Sequence, residues 1–553
     1  MPASAIVRRA LDRHTGALTE RAATTPISAS ANSKRARTAA RLFALFLGCF
    51  IVTAVAYHRT NITFFRAESG WYQFLSHEQP EVQRNYLAFF FTHSYHGHYT
   101  PVAFAAEFAL TRLAGPHANF WKWRQLLALS ILASAIFLLV CAAARPYRLS
   151  KPVTLAAASA VTAIFVLQPL MRELVAWPFM VMQLGWMICA TLTLLALVQF
   201  AAHPEERRWI WFGAAFAYAS MHWAGLGAIT VVATLFIFCF FLGGIRRGRF
   251  PDLARHRRTL WIAVAILLGL AALHGVAMIH SFGASKEPAS APGFALGLGF
   301  WIYSLFASVR TLIGPQFLPE PDVSLVAAAW PYGLLAILIL AVGLCLLARS
   351  ALRDATPAAR TRFVLHAFSI TSFAGFVFLM LARRVIEPGS DFRALLIGSR
   401  YLVPITFTLL GSAVVLAVAL ARRGGVMAAI FFVCLSCAAL AANRQHARQV
   451  YPALYPLNMI DHEKTWQSIV AVAGECEAAG IPIPNVPMGR LTQEFYDWDL
   501  RLFEPLLRDE LKLTEPCRFA DWAECRGVNR AQYDAAAPSL RRLTELLGLN
   551  DPP

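Results

Sequence analysis

Residues 124–144 read RQLLALSILASAIFLLVCAAA, a run in which every position after Gln125 is apolar or a small serine or cysteine. At about 1.5 Å rise per residue such a run crosses the roughly 30 Å hydrocarbon core of a bilayer, and a helix satisfies its own backbone on the way. Comparable runs recur at 41–57, 152–170, 177–200, 209–221, 224–243, 260–280, 326–347, 363–381, 401–421 and 425–442. They predict an all-α, polytopic membrane protein with about eleven transmembrane helices. The pair 209–221 and 224–243 reads as two short helices broken near His222 and Trp223 rather than as one long tilted helix. A further apolar stretch, 294–313, reads as interfacial, because letting it span moves the basic segments after it to the wrong side.

Composition agrees with a bilayer environment. The 553-residue chain is 57% hydrophobic and 15% charged, with a mean hydropathy of +0.51, values that a water-soluble globule of this length does not carry. The net charge of +18 reads as a topology signal, and no nucleic-acid partner is expected. When the spans alternate, the N-terminal arginines, Arg145/Arg148/Lys151, Arg207/Arg208, segment 246–258, segment 349–362 and Arg422/Arg423 share one side, expected to be the cytoplasm of a bacterial inner membrane. Residues 1–40, rich in Ala, Ser, Thr and Arg, are expected to form a disordered basic cytoplasmic tail ahead of a retained signal anchor. The transmembrane region is taken as 41–442. Beyond it Trp466, Tyr496, Trp498 and Trp522 stand among charged residues, so 443–553 is expected to be a small helical domain on the periplasmic side. Seven of the ten cysteines lie in spans, where they act as small hydrophobes; Cys517 and Cys525 admit either a short disulfide or two unlinked thiols.

The functional signal is concentrated in the first outer loop, 58–123, which is longer than a connector needs to be. It holds Glu68-Ser-Gly-Trp71, then His96-Gly-His98-Tyr99-Thr-Pro101, then an amphipathic stretch at 102–113 with Glu107 and Arg112 at its polar edge. A lone Glu68 is ordinarily a solvated charge near a helix end, but Trp71 and Tyr72 beside it suit the headgroup level, where a lipid-linked substrate presents its phosphate. Late in the chain Arg383, Arg384, Arg393 and Arg400 fall on the outer side, against the positive-inside bias. Snorkelling at helix ends is their plain reading, and phosphate binding the functional one. His93, His96 and His98 do not follow a metal-ligand spacing, so no metal is expected. The chain has no Gly-rich phosphate loop, and no cofactor is expected. His222, His274, His280 and His366 read as helix–helix hydrogen-bonding groups, and Arg172-Glu173 as a local ion pair at an outer turn.

The order of basic tail, single span, long outer loop with an early acid, His-Gly-His-Tyr-Thr-Pro and a following span resembles the GT-C fold glycosyltransferases, including their protein O-mannosyltransferase-like branch. Gly398-Ser-Arg400-Tyr401-Leu-Val-Pro404 at the mouth of a late span looks like the Arg-Tyr-x-x-Pro element common in that family. The resemblance implies a polyprenyl-phosphate-linked sugar as donor, a glycan, lipid or protein as acceptor, and an acid in the first outer loop as catalytic base. By position that acid is Glu68, with Glu78 and Glu81 as further candidates, since many relatives carry an Asp or an acidic pair there. Substrate contacts then fall to His96, His98, Tyr99, Arg383, Arg384, Arg393, Arg400 and Tyr401. Three other classes stay open. A glycan polymerase or ligase would place its large loop late in the chain, and a transporter or flippase would show internal repeats with paired broken helices, which the chain lacks. A structural scaffold is the third.

Overall fold

The computed structural model describes residues 27–58, 60, 80–92, 99–114, 118–281, 294–313, 323–386 and 399–450, with three isolated positions further on. Among them the chain is helical throughout, without a strand, and nine helices are long and apolar enough to cross a membrane. It is a polytopic, all-α membrane protein. Residues 1–51 and 52–553 form two units. The first contains most of helix α1 (Ile27–Tyr57). Its helix begins well before residue 41, so part of the tail expected to be disordered is helical; Ala, Arg and Lys are strong helix formers, and five alanines, three arginines and a lysine fall between Ile27 and Arg41.

In the second unit the long loop 58–123 contributes two helices, α2 (Pro80–Thr92) and α3 (Pro101–Ala114), before the span α4 (Ala118–Ala144). Helix α5 (Lys151–Val166) stops short of the expected 170, because Pro169 disfavours helical geometry at Gln168 and lacks an N–H to continue the ladder. The chain then turns through the one-and-a-half-turn α6 (Met171–Ala176) and a 3-10 turn (Pro178–Met180) into α7 (Val181–Ala202). Helix α7 is the bundle's spine: 72% of its apolar window is buried, against α4, α8 (Arg208–Met221) and α14 (Pro357–Ile386). Small residues let the helices close in, Ala157, Ala158 and Ala160 of α5 all being buried.

Helices α8 and α9 (Gly227–Arg246) are separate, as the break near His222 and Trp223 predicts. Ser220 Oγ donates to the Gly227 carbonyl at 3.1 Å, and a Cβ on Gly227 would lie 2.2 Å from the Ser220 carbonyl, so only glycine closes this turn. After α10 (Arg257–Ser281) comes α11 (Phe294–Ile313), which the charge pattern places along the interface and whose length and composition are enough to cross. It packs on α12 (Val323–Ala328) and α13 (Trp330–Asp354).

The last elements with described bounds are α15 (Ser399–Thr408) and α16 (Leu410–Gln445), followed by a π turn (His446–Val450). As one straight helix the 36 residues of α16 would be about 54 Å long. Yet Phe407, just before it, lies edge-on to Phe165 at 6.3 Å, and Asn443 near its end donates to the Leu167 carbonyl at 3.0 Å. Both ends therefore meet the same end of α5, and α16 is a hairpin of two legs. The reversal sits at Gly425, whose φ of 50° and ψ of −123° break the helix behind Arg422 and Arg423. This matches two spans at 401–421 and 425–442 with a basic turn between them, and the second leg continues past 442.

The basic connectors gather at one end of the bundle. Tyr147 Oη donates to the Ala358 carbonyl at 3.2 Å, Arg360 pairs with Asp252 at 2.8 Å, and Arg362 reaches Ser350 Oγ at 3.3 Å, tying together the α4–α5, α9–α10 and α13–α14 turns. The candidate site lies at the opposite end.

Candidate functional site

The turn through α6 and the following 3-10 segment is the hub of that opposite end. Arg172 is only 1% exposed, and its guanidinium is tied on several sides. It donates to Thr60 Oγ1 at 2.7 Å, to the Ala56 carbonyl at 3.2 Å and to Asn443 Oδ1 at 2.9 Å, and lies 5.2 Å from the centre of the Tyr57 ring. Tyr57 Oη in turn donates to the Val166 carbonyl at 2.7 Å and accepts from Asn443 Nδ2 at 3.1 Å. A buried cation held this way makes charge-assisted bonds, and each dipole around it strengthens the next. His446 lies beside this cluster, near Arg172 and with no exposed surface, and neither of its ring nitrogens has a hydrogen-bond partner.

A second cluster adjoins the same turn from the loop side. Glu107 of α3 pairs with Arg124 at the start of α4, and Arg124 also donates to the Pro178 carbonyl and stacks on Trp121 at 4.5 Å. Gln125 donates to the Leu174 carbonyl at 2.6 Å and to the Trp177 carbonyl at 3.1 Å, fixing α4 to the hub. Glu107 is 2% exposed, on a face shared with Phe104, Phe108 and Thr111. This corrects its expected place at the polar edge of the helix: the hydrophobic face of α3 is buried against protein, and a carboxylate there survives by meeting a guanidinium. Arg112 is exposed, as its polar position predicts. Burial pushes the Glu107 carboxyl above the usual range, and Arg124 partly offsets that.

The third group contains a predicted residue. Tyr99 stands edge-on to His274 at 5.2 Å, His274 stands edge-on to His222 at 5.3 Å, and Tyr218 completes the row at 4.8 Å from His222. The Tyr99 hydroxyl donates to the Phe91 carbonyl at 3.0 Å, and the Ala103 amide to the His222 carbonyl at 3.3 Å. Burial pushes the His222 imidazole below its ordinary value, and its Nδ1 has no hydrogen-bond partner. Of the histidines expected to hydrogen-bond between helices, His366 does so, its Nδ1 lying 3.0 Å from Ser412 Oγ between α14 and α16, whereas the rings of His222 and His274 pack on each other and on Tyr218 and Tyr99.

Of the other predicted residues, Tyr401 is half-buried in α15, which packs on both α6 and the end of α14. Arg400 is in the first turn of α15, and Arg383 and Arg384 are in the last turns of α14, so these three positions belong to the hub's end of the bundle. Glu81 is exposed in the first turn of α2. Glu68, Glu78, His93, His96, His98, Arg393, Cys517, Cys525 and, apart from three isolated positions, the segment from 451 lie outside the described residues, as do most of the turns around them. Among the described residues no three His, Cys, Asp or Glu side chains converge as metal ligands.

Residues not singled out as site candidates dominate the observed clusters: Tyr57, Thr60, Glu107, Arg124, Gln125, Asn443 and His446. Their common signal is a polar side chain within or beside an apolar run, which in a membrane protein demands a partner. Comparison with protein-family models, with curated proteins and with solved structures finds no match.

Proposed function

We propose that this protein is a membrane glycosyltransferase that moves a sugar from a polyprenyl-phosphate donor to a glycan, lipid or protein acceptor on the outer face of a bacterial inner membrane. One observation carries the reading. The end of loop 58–123 is built into the bundle: α3 buries Glu107 against Arg124, and Tyr99 packs on His274. A loop that only connected two spans would have no reason to bury an acid against the span that follows it. It shares its end of the bundle with α15, the helix that begins at Ser399-Arg400.

In this reading Glu68 takes the proton of the acceptor hydroxyl as its oxygen attacks the anomeric carbon. The new glycosidic C–O bond forms as the bond from that carbon to the phosphate oxygen breaks, and polyprenyl phosphate leaves with the electron pair. Arg400, with Arg383, Arg384 and Arg393, offsets the charge that grows on the leaving phosphate, since fixed guanidinium donors in a partly dry site act more strongly than in water. His96, His98, Tyr99 and Tyr401 hold sugar and phosphate oxygens. Attack opposite the leaving group inverts the anomeric centre.

The test is transfer from a radiolabelled polyprenyl-phosphate sugar by membranes containing the wild-type or Glu68→Gln protein. Loss of a general base costs roughly 10²–10⁴-fold in rate. Wild-type turnover by the Glu68→Gln protein overturns the assignment of the base, and no transfer by either protein from any such donor overturns the reaction.

A further inference from the structure

The arginine-rich end of the bundle holds a cavity that the proposed reaction does not use. It measures about 440 Å³ and lies between the end of α4, the start of α14 and the first leg of α16. Arg362, Arg422 and Arg423 line it together with Tyr147, and among its described lining residues there is no carboxylate. The rest of its wall is apolar, with Leu365, Val415 and Ala419 on the bilayer side of the arginines. Topology alone does not account for this arrangement. The positive-inside bias asks only that basic residues lie somewhere in a connector, and exposed Arg349 and Arg353 on α13 satisfy it without lining this cavity.

The reversal at Gly425 makes the geometry possible. Its non-helical backbone ends the first leg directly after Arg422 and Arg423, so both residues stay at the turn of the hairpin, where they line the cavity with Arg362. Arg362 is half-buried and held by Ser350, which fixes its stem while leaving other guanidinium donors. Three guanidiniums above an apolar wall, at the depth where a helix bundle meets the headgroups, match an amphiphile with a phosphate head and hydrocarbon chains.

We infer that this cavity binds the phosphate headgroup of an anionic phospholipid, with its acyl chains lying along Val415, Ala419 and Leu365. On the charge-derived topology the lipid comes from the cytoplasmic leaflet. The inference does not depend on the glycosyltransferase reading.

The full chain, purified in detergent, is examined by native mass spectrometry with dioleoyl phosphatidylglycerol, with dioleoyl phosphatidylcholine and with inorganic phosphate. Phosphatidylglycerol is expected to remain bound through detergent removal and phosphatidylcholine to be lost. Arg362→Gln/Arg422→Gln is expected to weaken phosphatidylglycerol retention roughly tenfold or more, and Arg349→Gln/Arg353→Gln to leave it unchanged. Ala419→Phe keeps every charge, places a ring where the chains lie, and is also expected to abolish retention; being exposed in the native protein, this position tolerates the larger side chain and covers the case in which the double arginine variant fails to fold. Equal loss in the control pair overturns the inference, since general positive charge is then sufficient. Unimpaired retention by Ala419→Phe overturns it too, and displacement of the lipid by millimolar inorganic phosphate shows an anion site with no lipid specificity.

Discussion

Asn443 and Tyr57 are 386 positions apart in the chain, yet the Asn443 amide donates to the Tyr57 hydroxyl at 3.1 Å and its carbonyl accepts from Arg172. One amide thereby closes a circuit between Tyr57, the α6 turn and α16. Asn443→Leu removes both the donor and the acceptor and leaves the Arg172 guanidinium short of a buried partner. The expected loss is about 1–3 kcal/mol, seen as a lower unfolding temperature in detergent; Asn443→Asp, which keeps the acceptor, is expected to lose less. An unchanged midpoint for Asn443→Leu would remove the circuit from the account of stability.

His446 predicts the opposite sign. Its ring is fully buried with two unpartnered nitrogens, which costs desolvation energy without return. His446→Leu is expected to raise stability by about 1–2 kcal/mol, measured by the same unfolding assay. A destabilised His446→Leu protein would mean that the imidazole does structural work the contacts do not show.

The Glu107–Arg124 pair gives a pH signature. Burial raises the Glu107 carboxyl, so the folded protein holds this proton more tightly than the unfolded chain. Its contribution to stability is therefore greatest at acid pH and declines as pH rises from about 4.3, the ordinary glutamate value, through the raised value, then levels off. Glu107→Gln is expected to remove that decline from a plot of unfolding midpoint against pH. Arg124→Leu alone, by leaving the acid buried without its cation, is expected to cost about 3–5 kcal/mol near neutrality, and Glu107→Leu/Arg124→Leu much less.

Gly425 carries a fourth prediction. Its positive φ is strained for any residue with a Cβ, while the space around it is open. Gly425→Ala is expected to destabilise by about 1–2 kcal/mol through the backbone alone, and an unfolding midpoint equal to wild type would show that the reversal is set elsewhere.

The membrane architecture was legible because its driving force is written locally. Runs such as 124–144 and 363–381 are long and apolar enough to define their own helices, and the basic turns repeat a single charge rule that the gathering of Tyr147, Arg360 and Arg362 with their partners follows. The break at His222 was legible for the same local reason. The ends of helices were harder to read. Gln168-Pro169 trims α5, and Ala-rich residues before Arg41 extend α1, because propensity and proline act over one turn while hydropathy averages over many.

The clusters were least legible where they depend on distant partners. Arg172 reads in sequence as half of an Arg-Glu dipeptide, but its guanidinium bonds Thr60 and Asn443, on elements no local pattern connects. Glu107 reads as the wet edge of an amphipathic helix because nothing nearby announces Arg124 as its partner. Tyr99 was legible as part of a distinctive motif, whereas the histidine row it joins comes from α8, its turn and α10.

The bond between Asn443 and Tyr57 also orders the protein's biogenesis. Tyr57 and Arg172 leave the ribosome hundreds of residues before Asn443 does, and until that amide arrives the guanidinium lacks its Asn443 acceptor. A buried guanidinium short of an acceptor is costly, so the helices packed around Arg172 are less stable without this amide than with it. Docking of the second leg of α16 is then the step that supplies Arg172 with its Asn443 acceptor.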